Sequence, residues 1–184
     1  MIDLSNVETL MSADVTVDDE AAIELQKLRA FADGTLALIS TASGAGDFHV
    51  ADTFELGELG VIEVAGSTAA LVIGPGMPGG AADGSVTVTT GGALTGNGTV
   101  VGDLINLGSL APGESPGSMT VDGSYEQAAA AVLSLDLGCP IPGRESDFLA
   151  VSGSASLACA AAVPLSAVYA PLPGATRVFL RAPV

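Results

Sequence analysis

The segment Gly91–Leu137 reads GGALTGNGTVVGDLINLGSLAPGESPGSMTVDGSYEQAAAAVLSLDL. It consists of very short apolar-polar alternations, each ended by Gly, Asn-Gly or Asp-Gly, and no run in it is long enough for a helix. Strands this short cannot bury a core alone, but they do so when they are coiled and stacked on one another. The segment therefore predicts an all-β fold of the β-solenoid type.

An antiparallel meander also uses Asn-Gly turns, but its strands would have to be longer to offset the unpaired edges. A coil of about 20 residues with two or three short strands fits the rhythm better, with successive coils paired in parallel about 4.8 Å apart. For a chain of 184 residues, this predicts roughly eight or nine coils. Asn97 and Asn106 suit turns of left-handed backbone geometry and are candidates for an interior amide ladder.

Five segments upstream of Gly91 show the same alternation, with Gly-containing breaks between them: TLALI (35–39), DFHVA (47–51), VIEVA (61–65), AALVI (69–73) and SVTVTT (85–90). The tract Gly74–Gly84 is predicted to be either a long excursion or a join between two sub-blocks. Residues 1–33 are the least regular part. Ala21–Phe31 fits neither the helical nor the strand period cleanly, so a short N-terminal helical cap over the solenoid end is one interpretation.

Composition and charge restrict the classes of partner. Apolar residues make up 48% of the chain but aromatic residues only 4%, which suits a narrow layered interior. Twenty-one acidic residues against five basic ones give a net charge of −16. Such a surface repels nucleic acid and anionic membranes, and we expect neither as a partner.

The two cysteines, Cys139 and Cys159, lie 20 residues apart, close to one coil of many β-solenoids. A disulfide and two buried free thiols are both compatible with this spacing. The only histidine, His49, is far upstream, so a metal site at the cysteines is not expected. The first 20 residues lack a basic region followed by an apolar one, and no segment approaches ~20 apolar residues. We therefore expect no membrane insertion by this segment, and either a cytoplasmic location or an export signal outside it.

The pattern GALTGNGTVVGDLINLGSLAPGESPGSMTVDGSYEQ (Gly92–Gln127), with its core Ala111–Gly117, resembles the autotransporter-associated β-helix repeats of bacterial passenger regions. The apolar strand Val132–Leu137 and the segment Ser146–Leu165 continue the resemblance. It implies a right-handed, single-stranded parallel β-helix in an extracellular or cell-surface location, with a structural or adhesive role. Cell-surface or extracellular-matrix carbohydrate or protein is then the expected partner.

On this basis the chain is predicted to be a single β-helix domain. It has an irregular or capping part over 1–33, N-terminal coils over 34–90, an autotransporter-like repeat over 91–165 and terminal strands over 166–184. Function is expected to lie in its shape and in loops on one face, such as Gly74–Gly84 and Gly138–Ser146.

Acidic side chains that could act together in a β-helical polysaccharide lyase or hydrolase are Asp18-Asp19-Glu20, Glu55 with Glu58, and Asp147 near Arg144. Glycoside hydrolysis needs two carboxylates at a defined separation, normally beside aromatic platforms. With five Phe, two Tyr and no Trp, a platform is hard to build, so a solvated acidic face is the preferred interpretation.

The cluster Asp18, Asp19, Glu20 and Glu24 offers the oxygen ligands that calcium prefers, but no calcium-loop motif is present, and surface charge is again preferred. Ser115 in GESPG matches the letters of a nucleophile elbow. Pro116 makes that turn unfavourable, and His49 is the sole histidine available as a base.

We therefore predict no catalytic, cofactor-binding or metal-binding residues, no cofactor and no enzymatic activity. The alternatives are a carbohydrate-active β-helix enzyme and a self-assembling fibre component that stacks end to end.

Overall fold

The computed structural model of the chain describes residues 6–18, 23–24, 27–39, 47–51, 53–65, 69–73, 84–113, 116–136, 146–158, 161–166 and 179–183. These residues form short strands and no helix. The strands of the first half are β1 (Thr9–Met11), β2 (Val15–Asp18), β3 (Ile23–Glu24), β4 (Ala30–Ala32), β5 (Gly34–Ile39), β6 (Asp47–Val50), β7 (Thr53–Leu56), β8 (Gly60–Ala65), β9 (Ala70–Ile73) and β10 (Ser85–Val88). The strands of the second half are β11 (Ala93–Gly96), β12 (Thr99–Val101), β13 (Asp103–Asn106), β14 (Ser109–Pro112), β15 (Ser118–Asp122), β16 (Tyr125–Gln127), β17 (Val132–Asp136), β18 (Phe148–Val151), β19 (Ala155–Leu157), β20 (Ala161–Ser166) and β21 (Leu180–Arg181).

The strands belong to three 7-stranded sheets, and every third strand along the chain enters the same sheet. Sheet A has the order β1-β4-β7-β10-β13-β16-β19, sheet B the order β2-β5-β8-β11-β14-β17-β20, and sheet C the order β3-β6-β9-β12-β15-β18-β21. Adjacent strands are parallel, as in the pairs β10–β13, β11–β14 and β12–β15. The predicted all-β architecture is confirmed, and the three parallel sheets are consistent with a β-solenoid.

The N-terminal helical cap is wrong for the described part of Ala21–Phe31. Ile23 belongs to β3 and pairs with Phe48, and Ala30 begins β4 and pairs with Thr9. Leu28 between them is completely buried. Pairing with the neighbouring coil overrides the weak local helical preference, because each strand residue gains a ladder hydrogen bond and interior contacts.

The number of coils also differs from the prediction of eight or nine, since the described strands make seven levels in each sheet. Coil length varies more than the sequence rhythm suggests. Ser85 pairs with Asp103, 18 residues later, whereas Thr53 pairs with Ser85, 32 residues later. The predicted excursion Gly74–Gly84 falls within that longer coil and, apart from Gly84, lies outside the described residues.

The core consists of columns in which the same inward position recurs in successive coils. One column of sheet A contains Leu10, Phe31, Leu56, Val88, Asn106, Gln127 and Leu157. One column of sheet B contains Leu36, Ile62, Leu94, Leu110 and Leu133, all at 0–1% exposure. Each fully buried aliphatic side chain contributes about 1.5–3 kcal/mol of transfer free energy. The stacked columns therefore hold the coils in register.

A column of glycines forms the corner between sheets C and A. Gly84 and Gly102 directly precede a strand of sheet A, and Gly123 and Gly153 are each separated from such a strand by one residue. The Gly153 amide donates to the Gly123 carbonyl oxygen (2.8 Å), and a Cβ on Gly123 would collide with the Gly102 carbonyl oxygen. Gly102 also has a φ of 142°. The absence of side chains lets neighbouring coils approach at this corner.

Candidate functional site

A polar groove of about 340 Å³ lies on the outer face of sheet A. It crosses four strands, β10, β13, β16 and β19, in consecutive coils. The outward side chains along it are Ser85, Asp103, Ile105, Ser124, Glu126, Ser154 and Ser156. The same strands turn Leu104 and Tyr125 inward, where both are buried, so the groove floor is backed directly by the core.

Strand register arranges these side chains in two parallel rows. Ile105 pairs with Glu126, and Glu126 pairs with Ser156, which makes one row. The other row begins with Ser85 paired to Asp103 and continues through Ser124 and Ser154. The backbone ladder continues at these positions, since the Leu104 amide donates to the Ser124 carbonyl oxygen and the Tyr125 amide to that of Ser154, both at 2.8 Å. Side chains in a row are therefore about 4.8 Å apart.

Hydrogen bonds connect members of the second row to one another. The Ser124 amide donates to Asp103 Oδ1 (2.7 Å), and the Ser154 hydroxyl donates to Ser124 Oγ (3.3 Å). The lining side chains are hydroxyls, two carboxylates and one aliphatic residue. Such a surface offers many hydrogen-bond acceptors and several hydroxyl donors, which suits polyhydroxylated ligands. Asp103 and Glu126 are its only acidic groups among the lining residues.

A buried polar cluster lies in the interior behind this face. Asn106 and Gln127 are both 0% exposed, and Tyr125 is 1% exposed. The Tyr125 hydroxyl donates to Gln127 Oε1, and Gln127 Nε2 donates to the Ala131 carbonyl oxygen (3.1 Å). Asn106 Nδ2 donates to the Val132 carbonyl oxygen (3.1 Å), and Asn106 Oδ1 accepts from the Gly108 amide (3.1 Å). These bonds satisfy backbone groups at the corner between sheets A and B.

Burial has the largest effect on the pKa of the Tyr125 phenol in this cluster. Removal from water raises the pKa of Tyr125 to about 12, because the phenolate loses its hydration. Its hydrogen bond with Asn106 has a smaller, opposing effect on the pKa. The phenol is consequently neutral at physiological pH and acts as a hydrogen-bond donor within the fold.

Asp147 is 5% exposed, and its carboxyl group accepts hydrogen bonds from the backbone at two corners of the solenoid. The Gly117 amide donates to its Oδ1 (3.0 Å) and the Asp136 amide to its Oδ2 (2.7 Å), while the Asp147 amide donates to the Asp136 carbonyl oxygen (2.8 Å). Desolvation raises the pKa of Asp147, and the two backbone hydrogen bonds act in the opposite direction. The carboxylate therefore serves the structure at this position.

The other predicted carboxylates do not share one face. Asp18 and Glu24 belong to β2 and β3 of the first coil. Glu55 is exposed on the outer face of sheet A, in the same row as Ile105 and two coils before it, whereas Glu58 is in the turn between β7 and β8. His49 lies on β6, pairs with Val72 and is half-buried.

Several predicted residues fall outside the described residues: Asp19, Glu20, Ser115, Cys139, Arg144 and Cys159. The pairing of Asp147 with Arg144, the elbow at Ser115 and the disulfide thus stay predictions. Within the described ranges, no group of three or more His, Cys, Asp or Glu side chains is placed to hold a metal ion.

The predicted left-handed geometry of Asn97 and Asn106 is wrong. Among the described residues, positive φ outside glycine occurs at Ser12, Asp33 and Leu59. Asn106 is instead the last residue of β13 and points into the core, as the amide-ladder interpretation expects, with Gln127 as its neighbour in the next coil. Asn97 is half-exposed in a turn.

The groove itself was missed by the sequence reasoning, which searched for clustered acids. A usable signal is present, because the dipeptides Gly84-Ser85, Gly102-Asp103, Gly123-Ser124 and Gly153-Ser154 recur along the chain. The glycine of each marks the same corner, so the following polar residue must fall in one row on the outer face of sheet A.

Where the structure describes the chain, it contains no helix long and apolar enough to cross a membrane. Comparisons of the chain with protein-family models, with curated proteins and with solved structures found no match. Its resemblance to autotransporter-associated repeats therefore rests on the motif at Gly92–Gln127.

Proposed function

We propose that this chain is a right-handed, single-stranded parallel β-helix that serves as a non-enzymatic structural segment of a secreted or cell-surface bacterial protein. Its role is that of a stalk, spacer or adhesive scaffold. The observation that carries the proposal is the parallel stacking of seven strands in each of three sheets around one apolar interior. Such stacking yields a rod whose coils contact mainly their neighbours, the property that a spacer requires.

The hydrogen bonds that the buried polar groups make support the same role. Asn106, Gln127 and Asp147 all hydrogen-bond to backbone groups at corners of the solenoid. They stabilise turns, and burial keeps them from a dissolved substrate. The motif Gly92–Gln127 adds the resemblance to repeats of exported passenger regions.

The groove of sheet A supports the adhesive form of the proposal. Its rows of hydroxyl and carboxylate groups can donate and accept hydrogen bonds along an extended carbohydrate chain, with Ile105 as an apolar contact. Carbohydrate of the cell surface or the extracellular matrix is the partner that this chemistry fits best.

The same groove favours one alternative function, a carbohydrate-active enzyme, because Asp103 and Glu126 are carboxylates on adjacent strands. Incubation with a panel of polysaccharides separates the two functions. The scaffold proposal predicts binding without new reducing ends or unsaturated products. Product formation that is abolished by Glu126→Gln and unaffected by Glu55→Gln would establish the enzyme instead.

Location is tested by protease treatment of intact bacteria that express the tagged full-length protein. The proposal predicts digestion of the tagged segment before lysis, while a cytoplasmic marker in the same cells stays intact. Protection of the segment until the cells are lysed would contradict the surface role.

A further inference from the structure

The groove on the outer face of sheet A carries charge of one sign. Its described lining residues include two acidic side chains, Asp103 and Glu126, both exposed, and no Lys, Arg or His. Of the basic residues that the structure describes, Lys27 and Arg29 precede β4, and Arg181 belongs to β21 of sheet C. Within the described lining, the negative charge of the groove is therefore not compensated by a basic side chain.

The two carboxylates adjoin the same apolar side chain, Ile105. Ile105 is two residues after Asp103 on β13, so both side chains lie on the same outer face. Glu126 pairs directly with Ile105 on the adjacent strand. Asp103 and Glu126 are consequently diagonal neighbours, with strand positions about 8 Å apart. A ligand that contacts Ile105 is within reach of both carboxylates.

The Asp103 carboxylate is oriented by the backbone of the next coil. The Ser124 amide donates to Asp103 Oδ1 at 2.7 Å, and Ser124 Oγ accepts from the Ser154 hydroxyl at 3.3 Å. A side chain that is already oriented loses less conformational entropy when a ligand binds. The hydroxyl groups of the same row can donate to and accept from the hydroxyl groups of a sugar. The row therefore combines one fixed charge with sites for neutral sugar groups.

We propose that the groove binds a polysaccharide with protonated amino groups, of the glucosamine type, and that its ammonium groups lie against Asp103 and Glu126. The apolar face of one sugar ring packs on Ile105, and the ring hydroxyls bond to the serine row. Ammonium groups donate charge-assisted hydrogen bonds to carboxylates, which are about twice as strong as neutral ones. This inference rests on the carbohydrate-binding form of the function proposed above and adds the charge of the ligand.

Charge also determines which carbohydrates the groove rejects. The chain has a net charge of −16, so polysaccharides with uronic acid or sulfate groups are repelled by the groove and by the rest of the surface. Neutral and N-acetylated chains are not repelled, but they offer no charged partner to Asp103 and Glu126. The expected order of affinity is amino-sugar chain, then neutral chain, then acidic chain.

Isothermal titration calorimetry with three tetrasaccharides tests the proposal: tetraglucosamine, its N-acetylated counterpart and tetragalacturonate. One sugar of an extended chain is close in length to the strand spacing of about 4.8 Å, so a tetrasaccharide spans the four strands of the groove. We expect tetraglucosamine to bind about tenfold more tightly than the N-acetylated tetramer, because its ammonium groups meet the two carboxylates. Tetragalacturonate should not bind.

Three variants localise the contact. Glu126→Gln and Asp103→Asn should each weaken the binding of tetraglucosamine by about tenfold and leave that of the N-acetylated tetramer almost unchanged. Asp103→Asn keeps an oxygen to accept from the Ser124 amide, so the corner is preserved. Glu55→Gln is the matched control, since Glu55 is in the same row as Glu126 but three strands away. It should change the affinity by less than about twofold, because solvent and salt screen the charge.

The outcomes separate this inference from the proposed function. Equal or tighter binding of the N-acetylated or the acidic tetramer would overturn the assigned charge and leave a carbohydrate-binding role in place. Absence of binding by all three would overturn both the inference and the adhesive form of the proposed function. Equal weakening by Glu55→Gln and Glu126→Gln, or binding of tetralysine as tight as that of tetraglucosamine, would show a general attraction of cations to an acidic surface and would overturn the inference.

Discussion

Asn106 and Gln127 occupy the same interior column of sheet A, one coil apart, and neither side chain is exposed to solvent. Their amides interrupt a column that is otherwise aliphatic or aromatic. Asn106 bonds to Gly108 in the turn that follows its own strand and to Val132 at the start of sheet B one coil later, and Gln127 bonds to Ala131 in the turn that follows its strand. The polar pair therefore determines how the chain passes from sheet A to sheet B in successive coils.

Replacing Gln127 tests this role. Gln127→Leu removes the acceptor for the Tyr125 hydroxyl and the donor to the Ala131 carbonyl oxygen, so we expect a loss of roughly 1–3 kcal/mol in the free energy of unfolding. Urea denaturation measures it. The exposed neighbour Glu126→Gln is the matched control and should stay within about 0.5 kcal/mol of the unmodified protein. Tyr125→Phe should cost less in the Gln127→Leu background than alone, and an equal cost would argue against the bond.

The raised pKa of Tyr125 makes stability depend on alkaline pH. The pKa is about 12 in the folded protein against 10.0 for an ordinary tyrosine, so the unfolded chain releases this proton first. The stabilising contribution is fully present below pH 10 and is lost as pH rises towards about 12. Ultraviolet titration of tyrosinate should show a late transition that Tyr125→Phe removes. A Tyr125 transition near pH 10 in the folded protein would contradict the burial of the phenol.

Asp147 should be one of the most sensitive polar positions. Asp147→Ala leaves the Gly117 and Asp136 amides without their acceptor in a buried site, and we expect a loss of roughly 2–4 kcal/mol in the free energy of unfolding. Asp103 is exposed and lies at another corner, so Asp103→Ala is the comparison variant and should lose less free energy of unfolding than Asp147→Ala. Similar losses of unfolding free energy for the two variants would mean that the buried hydrogen bonds of Asp147 do not stabilise the corner.

The direction of the Asp147 pKa shift can be tested separately. Because its pKa is raised, the folded protein holds the proton more tightly than the unfolded chain does. Its contribution to stability is present below the unfolded pKa and falls as pH rises through the folded value. A carbon-detected NMR titration of the Asp147 carboxyl group should give a midpoint above the ordinary Asp value. A midpoint below that value would contradict the dominance of desolvation.

Two leucines three residues apart distinguish the interior from the corner. Leu110 is 0% exposed in the sheet B column, and Leu107 is 39% exposed. We expect Leu110→Ala to cost roughly 2–5 kcal/mol and Leu107→Ala to stay within about 0.5 kcal/mol. Thermal or urea unfolding of both variants measures the difference. Equal costs would mean that the columns are not the core.

The parallel stacking was predictable from the sequence, because alternations of four or five residues closed by glycine leave few other ways to bury apolar side chains. The interior position of Asn106 was one of two interpretations that the sequence left open, and the other, a turn of left-handed geometry, is wrong. The local signal over Ala21–Phe31 was not sufficient, since Ile23 and Ala30 take their conformation from partners in other coils. Outward residues carry no apolar periodicity, so the groove around Asp103 and Ser124 becomes visible only once register is known.

Strand register is the claim on which both the interior columns and the groove depend, and paired cysteines test it most directly. Ser109 pairs with Val132 on the outer face of sheet B. In a chain with Cys139→Ser and Cys159→Ser, Ser109→Cys with Val132→Cys should form an intramolecular disulfide under mild oxidation, because adjacent positions are about 4.8 Å apart. Ser109→Cys with Ser134→Cys, about 8 Å apart on the same face, should form it poorly. Efficient crosslinking of the second pair and not the first would contradict the stacking.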